Sequence, residues 1–452
     1  MTINHRHIQP TKPVRGRLDL VNGPVFKTML LLAGPVVVSH LLNLAIGIAD
    51  VVMVGKLGTE AQTALVISMS VIMLLNAIAL GNGFATITYV SQHTGAGNEH
   101  LARRSAAHSL MLAVILGIAI ALVASIVLVP LVAFLNSEQN VTDNAINYSR
   151  MMLTYAAFFF LLFICISIMQ GLGDTVTPLI IMLCMNALNI LLNFLLIFGK
   201  FGFPEMGIMG AATGSVISRA VGAFIVIVFL ASGKYRMTLR FPDFKPIIIE
   251  FWNILRLGIP NSLQSLLRNA NVILLYRILS HTNEPVVAQN SLGVGFQSEA
   301  LAFVPLLALM IATGAMVGQN LGAGKPDRAE EATWTSIKTA FWLMLIACFA
   351  FLVFPDKIIA FFSEDPAVIA SAALYLRINA ITQIFQSGFV IIGCLRGAGD
   401  SMNPLYAHIS CQWLLRLPLS YLLAITFQMN ATGVWVAMAI TSIIENLIYY
   451  YL

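Results

Sequence analysis

The chain has 452 residues, of which 58% are hydrophobic and only 10% charged, with a formal net charge of +5. A soluble globular chain carries about 25% charged residues, so a wholly water-facing surface is excluded and much of this surface must face lipid. The small net charge and the lack of a dense basic tract exclude nucleic-acid binding.

The first 26 residues form a polar, basic amino-terminal segment holding Arg6, Lys12, Arg15 and Arg17, without the apolar stretch of a cleavable signal. About twelve apolar runs follow, each near the ~20 residues that cross a bilayer. The first is centred near Leu44. It contains Pro35 and a polar stripe of Ser39, Asn43 and Asp50, spaced by about one and two helical turns. A stripe of this kind belongs toward the bundle interior. Asp50 costs roughly 2.5–3.5 kcal/mol at a helix centre, so it persists where it faces a cavity and binds a cation or proton.

The second to fourth runs are centred near Leu75, Leu116 and Phe160. The fifth, near Leu188, places Asn189 and Asn193 one turn apart on one face. The sixth, near Phe224, begins with the small residues Gly210, Ala211, Ala212 and Gly214 and carries Ser215. Such a run lets helices approach closely and exposes carbonyls such as that of Ala211. A carboxylate, two amides, a hydroxyl and a carbonyl form a hard-oxygen set suited to Na⁺. By spacing alone they serve equally as interhelical hydrogen bonds.

Residues 234–249 are the longest polar connection and read as a linker between an amino-terminal lobe (27–233) and a carboxy-terminal lobe (250–452). The remaining runs are centred near Leu266, Leu306, Leu345, Phe385, Leu417 and Ile440. The seventh carries Arg268 and the eighth Glu299, and an Arg268–Glu299 ion pair lining a central cavity is expected because neither charge is stable alone in a bilayer. Lys and Arg concentrate in alternate loops (Arg103, Arg104; Lys234, Arg236, Arg240, Lys245; Lys325, Arg328; Arg396), which places both termini in the cytoplasm. The five cysteines lie in apolar runs without metal-ligand spacing.

The two halves repeat at an offset of about 225–227 residues. Gln92–Gly97 pairs with Gln319–Gly324, Tyr148 with Tyr375, Pro35 with Pro260, Asn43 with Arg268, and Gln170-Gly-Leu-Gly-Asp-Thr with Arg396-Gly-Ala-Gly-Asp-Ser. Each Gly-Asp-Thr/Ser-x-x-Pro segment reads as a turn in which Gly permits positive φ, Asp caps the next helix and Pro starts it. Turn chemistry does not explain recurrence in one order at one offset. Duplication does, and an even number of helices per copy predicts two lobes in the same orientation with a cavity between them.

The stretch LLAGPVVVSHLLNLAIGIADVVMVGKLG, the paired GxGDT/S-x-x-P turns, NALNILLNFLLIFG and GIMGAATGSVIS resemble the MATE (multidrug and toxic compound extrusion) family over nearly the whole chain. The lead-in LDLVNGPVFKTMLLLAGP is similar to the bacterial branch related to DNA-damage-inducible protein F. The resemblance implies an all-α membrane protein of twelve helices in two pseudo-symmetric lobes. It also implies an inner-membrane antiporter, a monomer, exporting small organic and often cationic or amphipathic compounds in exchange for Na⁺ or H⁺, without a cofactor. Asp50, Asn189, Asn193, Ser215 and Ala211 coincide with the amino-terminal cation site of such transporters.

Many relatives have a second acid where this chain has Asn193, which leaves Asp50 as a lone protonatable group and proton coupling open beside Na⁺. The acids that another branch places in the seventh and tenth spans are replaced here by Arg268 and Phe385. Asn43, Arg268 and Glu299 are candidates for the substrate cavity, and Pro35 for a hinge. No Ser/His/Asp, HExxH or GxxxxGK[ST] pattern occurs, so neither an enzyme nor an ATP-driven pump is expected. The alternative is a lipid-linked precursor or metabolite flippase of the same superfamily, which would be expected to show more spans and a strongly basic cavity.

Overall fold

The computed structural model describes residues 18–135, 139–233, 235 and 237–452. Arg6, Lys12, Arg15, Arg17, Lys234 and Arg236, which contributed to the loop-charge pattern, lie outside the described residues.

The described residues form twelve helical rods, and each of the twelve expected centres falls in its own rod. In order they are α1 (Val25–Gly55), α2 (Thr59–Gly95), α3 (Glu99–Leu135), α4 (Gln139–Thr154 and Ala156–Gly171), α5 (Val176–Phe198) and α6 (Ile208–Ala231). The second six are α7 (Ile248–Leu279), α8 (Pro285–Gly322), α9 (Pro326–Val353), α10 (Pro366–Ala398), α11 (Met402–Thr426) and α12 (Asn430–Tyr451). Ten of them are long and apolar enough to cross a membrane, and α4, whose two pieces bend by 52°, makes an eleventh.

The exception is α7, which has the length but not the hydropathy. Its polar residues are spent inside the bundle, where Asn261 donates to Ser401 Oγ (3.0 Å) and Asn271 to the Gln412 carbonyl (2.7 Å). A spanning helix tolerates such residues when neighbouring helices satisfy them.

The repeated turns have the expected chemistry. Gly173 and Gly399 have φ of +81° and +92°. Asp174 accepts from the amides of Val176 and Thr177, and Asp400 from those of Met402 and Asn403, so each aspartate caps the following helix.

Small residues set how the lobes meet. Gly81 of α2 lies against the backbone of Gly258 and Ser262 of α7, and Gly95 lies against Gln319 of α8, so any Cβ there would collide with backbone. Two side-chain bonds then cross the joint as symmetry mates. Gln92 donates to the Gly397 carbonyl (2.9 Å), and Gln319 donates to the Gly171 carbonyl (2.9 Å). Thr88 adds a bond to the Arg396 carbonyl (2.8 Å). The end of the molecule that carries these turns is therefore sealed between the lobes.

Helix α1 belongs to both halves. Its early residues Met29, Leu32, Ala33 and Val36 are buried in a cluster with Leu306, Leu309 and Met310 of α8, whereas Val54 is buried in the amino-terminal core. Between Ser39 and Val54 no residue of α1 is buried. Pro35 stands where docking on the second lobe ends.

Several charges counted with the loops lie in helices: Arg103 and Arg104 in the first turns of α3, Arg328 in the first turn of α9, and Arg396 near the end of α10. Of these Arg396 is buried, at 5% exposed. Its long side chain turns inward under the neighbouring rods, a choice that charge counting cannot register.

Candidate functional site

Three of the four residues expected to surround Asp50, Asn189, Asn193 and Ser215, meet it in one chain of contacts. The Pro-to-Asp spacing of α1 puts Asp50 near the far end of that helix, opposite α5. Close approach of α5 and α6 follows from the small-residue run: Gly210 sits on the backbone of Leu196 and Ile197, and Gly214 sits on the Asn193 side chain. The fully buried Asn193 donates from Nδ2 to Asp50 Oδ1 at 2.7 Å. The same nitrogen is 3.4 Å from Asn189 Oδ1, and Asn189 Nδ2 donates to Ser215 Oγ at 3.2 Å. A single chain of polar contacts thus runs from α1 through α5 to α6.

Ala211 is buried one turn before Ser215, in the amino-terminal core. Ser39, the buried member of the α1 stripe, donates to the Pro35 carbonyl (2.9 Å), while Asn43 is exposed.

Two neighbours of this site were not anticipated. Tyr148 of α4 lies beside Ser215, and Arg219 of α6 lies within electrostatic range of Asp50. The guanidinium of Arg219 stands 5.3 Å over the Phe159 ring and 3.7 Å from Met152 Sδ, with Asp50 as its acidic neighbour. Arg219 follows Ser215 by one helical turn, so the same face reading that selected Ser215 could have found it.

These details bear on what the site can hold. A cage for Na⁺ needs several oxygens turned inward. Here the Asn193 amide turns its N–H toward the carboxylate, because the reverse orientation would set two acceptors against each other. A buried guanidinium nearby further opposes a second cation. The oxygens of Asp50, Asn189 and Ser215 are nonetheless gathered within one polar patch.

The expected Arg268–Glu299 ion pair does not form. Glu299 accepts from Tyr375 Oη (2.8 Å) and Gln383 Nε2 (3.1 Å), and its cationic neighbour is Arg416. Arg268 instead lies over the Phe389 ring at 5.8 Å. Both residues sit on spanning helices, but the rotation of α8 turns Glu299 toward α10 rather than α7. Tyr375 is the repeat counterpart of Tyr148, so each lobe sets one tyrosine beside its polar cluster.

Farther along, α11 departs from regular α geometry with π turns at Ile409–Arg416 and Leu422–Thr426. The buried Arg416 donates to Thr441 (2.7 Å) and Ser442 (2.8 Å), and Glu445 accepts from Tyr449 (2.9 Å), His408 (3.0 Å) and Gln412. Inserted turns of this kind often accompany functional sites in helices. A separate polar cleft of about 480 Å³ between α7 and α8 is lined by Tyr276, Gln289, Asn290, Gly293 and Gln297. None of the sequence-selected residues lines it.

Comparison with known proteins agrees with this geometry. The profile of the family described as MatE matches twice, at residues 35–195 and 260–422, once in each half. The multidrug resistance protein MdtK of Pectobacterium atrosepticum is 28% identical over 416 residues, covering 89% of this chain and 90% of its own. The FAD transporter of Shewanella oneidensis is 27% identical over 444 residues, covering 97% and 96%. Among solved structures, a multidrug resistance MATE family transporter in its outward-facing conformation superposes with a TM-score of 0.88 at 22% identity, covering 98% of this chain and 97% of that one. A MATE transporter in a bent conformation gives 0.89 at 22% identity, covering 96% and 95%.

Proposed function

This chain belongs to the MatE family of membrane transporters, and on that premise we propose that it is a secondary active efflux antiporter coupled to protons through Asp50. It acts as a monomer in the cytoplasmic membrane, with both termini and the sealed end on the cytoplasmic side. In this placement the described conformation is closed to the cytoplasm. The names of its relatives, multidrug resistance proteins and an FAD transporter, support small organic solutes as cargo.

The observation that carries the reading is the Asn193–Asp50 hydrogen bond, the tie between the carboxylate of α1 and the face of α5. Ionised Asp50 accepts this bond and is drawn toward Arg219. A hydrogen bond to a charged group contributes about 1.5–3 kcal/mol. Protonation removes the charge and much of that attraction, which frees the far part of α1 to shift. The early part of α1 is docked on the second lobe, so such a shift is felt at the joint between lobes. A ligand moves a conformational equilibrium only by binding the two states differently; here the proton favours one setting of α1 and the solute the other.

Na⁺ coupling is the second reading, favoured by the gathered oxygens of Asp50, Asn189 and Ser215. Transport in proteoliposomes with independently imposed proton and Na⁺ gradients separates the two. A proton gradient alone is expected to drive efflux, and Asp50→Asn to abolish it. Efflux driven by Na⁺ alone would replace the first reading with the second, and undiminished transport by Asp50→Asn would remove the site from both.

A further inference from the structure

The second lobe holds a pair of cations that the coupling scheme does not use. Arg268 of α7 and Arg396 of α10 lie within electrostatic range of each other and of Tyr449 of α12, and Gln264, which accepts from Arg396, precedes Arg268 by one helical turn. Among the described residues no carboxylate lies within 4.0 Å of either guanidinium. Of the acids on the helices of this lobe, the two that lie within apolar stretches are engaged elsewhere, Glu299 by Tyr375 and Gln383, and Glu445 by His408, Gln412 and Tyr449.

The contrast with the other inward arginines is direct. Arg103 pairs with Asp243, Arg104 with Glu250, and Arg219 and Arg416 have Asp50 and Glu445 as acidic neighbours. Arg396 makes do with Gln264 Oε1 (2.8 Å), Met310 Sδ (3.8 Å) and the Phe84 ring (4.1 Å). Leaving a charge buried without a counter-ion is costly, and two like charges side by side make it more so. Ionisable groups kept inside a membrane at such cost mark the path of a substrate or ion. The repeat sharpens the point, because the positions matching Arg268 and Arg396 in the first lobe are the neutral Asn43 and Gln170.

We propose that Arg268 and Arg396 form an anion-accepting subsite on the second lobe, so that the solutes carried include those bearing a carboxylate or phosphate. The planar guanidinium fork matches both groups, and Phe84 and Phe389, each beneath one guanidinium, offer flat apolar surface to the rest of the solute. Arg268 is half-buried and open to approach, whereas Arg396 is sealed behind Phe84 of α2. Parting α2 from α10 uncovers Arg396 on the side that the proposed orientation places in the cytoplasm. An anion bound there holds the joint apart by competing for the guanidinium that now lies on Phe84. The subsite rests on the transporter reading above but not on which ion drives it.

The test is equilibrium binding to the full chain in detergent, without any gradient, using three coumarins of one ring system: neutral 7-methoxy-4-methylcoumarin, 4-methylumbelliferyl phosphate, and a coumarin-3-carboxylate. At least one anion is expected to bind about tenfold or more tightly than the neutral compound, the order expected of a charge-assisted contact; which anion does so tells phosphate from carboxylate. Arg268→Gln and Arg396→Gln should each erase that ratio, while Arg268→Lys, which keeps the charge, should retain part of it. Gel filtration of each variant reports folding, and Arg268→Gln, whose side chain is half-buried, covers the case in which Arg396→Gln fails to fold. Equal affinity for all three compounds, no binding of either anion, or an unchanged ratio in the folded Gln variants would overturn the subsite. Asp50→Asn is measured in parallel: a retained ratio in a transport-dead variant separates the subsite from the coupling scheme.

Discussion

Asn193 is satisfied on one side and crowded on the other, and that places Gly214 among the residues on which the Asp50 site depends. A methyl group at position 214 would stand inside contact distance of Asn193 Oδ1 and close to its backbone. Overpacking of this kind costs about 1–3 kcal/mol. Gly214→Ala is therefore expected to lower the midpoint of thermal unfolding in detergent and to impair coupled transport by displacing the Asp50 partner. Gly47→Ala on α1, where nothing lies within 4 Å of the added carbon, is the control and should leave the midpoint near its starting value. Equal midpoints for the two variants would show that α5 and α6 can separate at no cost. One-turn spacing put Asn189 and Asn193 on one face of α5, but it was the resemblance to the MATE family that joined them to Asp50 and Ser215. Arg219 and Tyr148 were not singled out as neighbours of the site, since a lone arginine in mid-span and a tyrosine in an apolar run do not by themselves point to a partner.

On the proposed mechanism α1 is a lever, because its two parts are fastened to different bodies. Proline at position 35 removes one backbone hydrogen bond and places its ring against the preceding turn, a penalty of about 3 kcal/mol within a helix. Pro35→Ala should restore that bond and stiffen α1. The expected outcome is at least a several-fold fall in gradient-driven efflux from proteoliposomes at unchanged protein content. An undiminished rate would mean that α1 moves as one rod. The Pro35–Asp50 spacing was visible in the sequence. That the early part of α1 docks on α8 was not, because apolar residues at helical spacing do not say which neighbour covers them.

Two glutamines related by the internal duplication close the molecule at one end, and their symmetry makes a quantitative expectation possible. Each cross-lobe bond, Gln92 to Gly397 and Gln319 to Gly171, has a net value of about 1 kcal/mol, so its loss should change the open-to-closed ratio about fivefold. Distances between spin labels at Glu99 and Asp327 should lengthen in Gln92→Ala and in Gln319→Ala, and further in the double variant. If neither single variant changes the distance distribution, the seal rests on the glycine contacts alone. The seventh rod, read from the sequence as one more apolar run, falls short of the hydropathy of the others, and the packed structure shows why its polar face is tolerated.

Composition, run length and the recurrence of motifs at one offset sufficed to establish a membrane protein of twelve rods in two equivalent halves, with its capped turns. These are properties of local chain geometry and of solvent, since a run of ~20 apolar residues has one stable home and a Gly-Asp turn one backbone shape. Pairing was another matter. Glu299 and Arg268 occupy neighbouring helices yet turn to different partners, and Arg396, counted among loop charges, lies within the bundle. Which side chains meet depends on the rotation and tilt of each rod against its neighbours, and the period of a helix leaves both free until the lobes are packed.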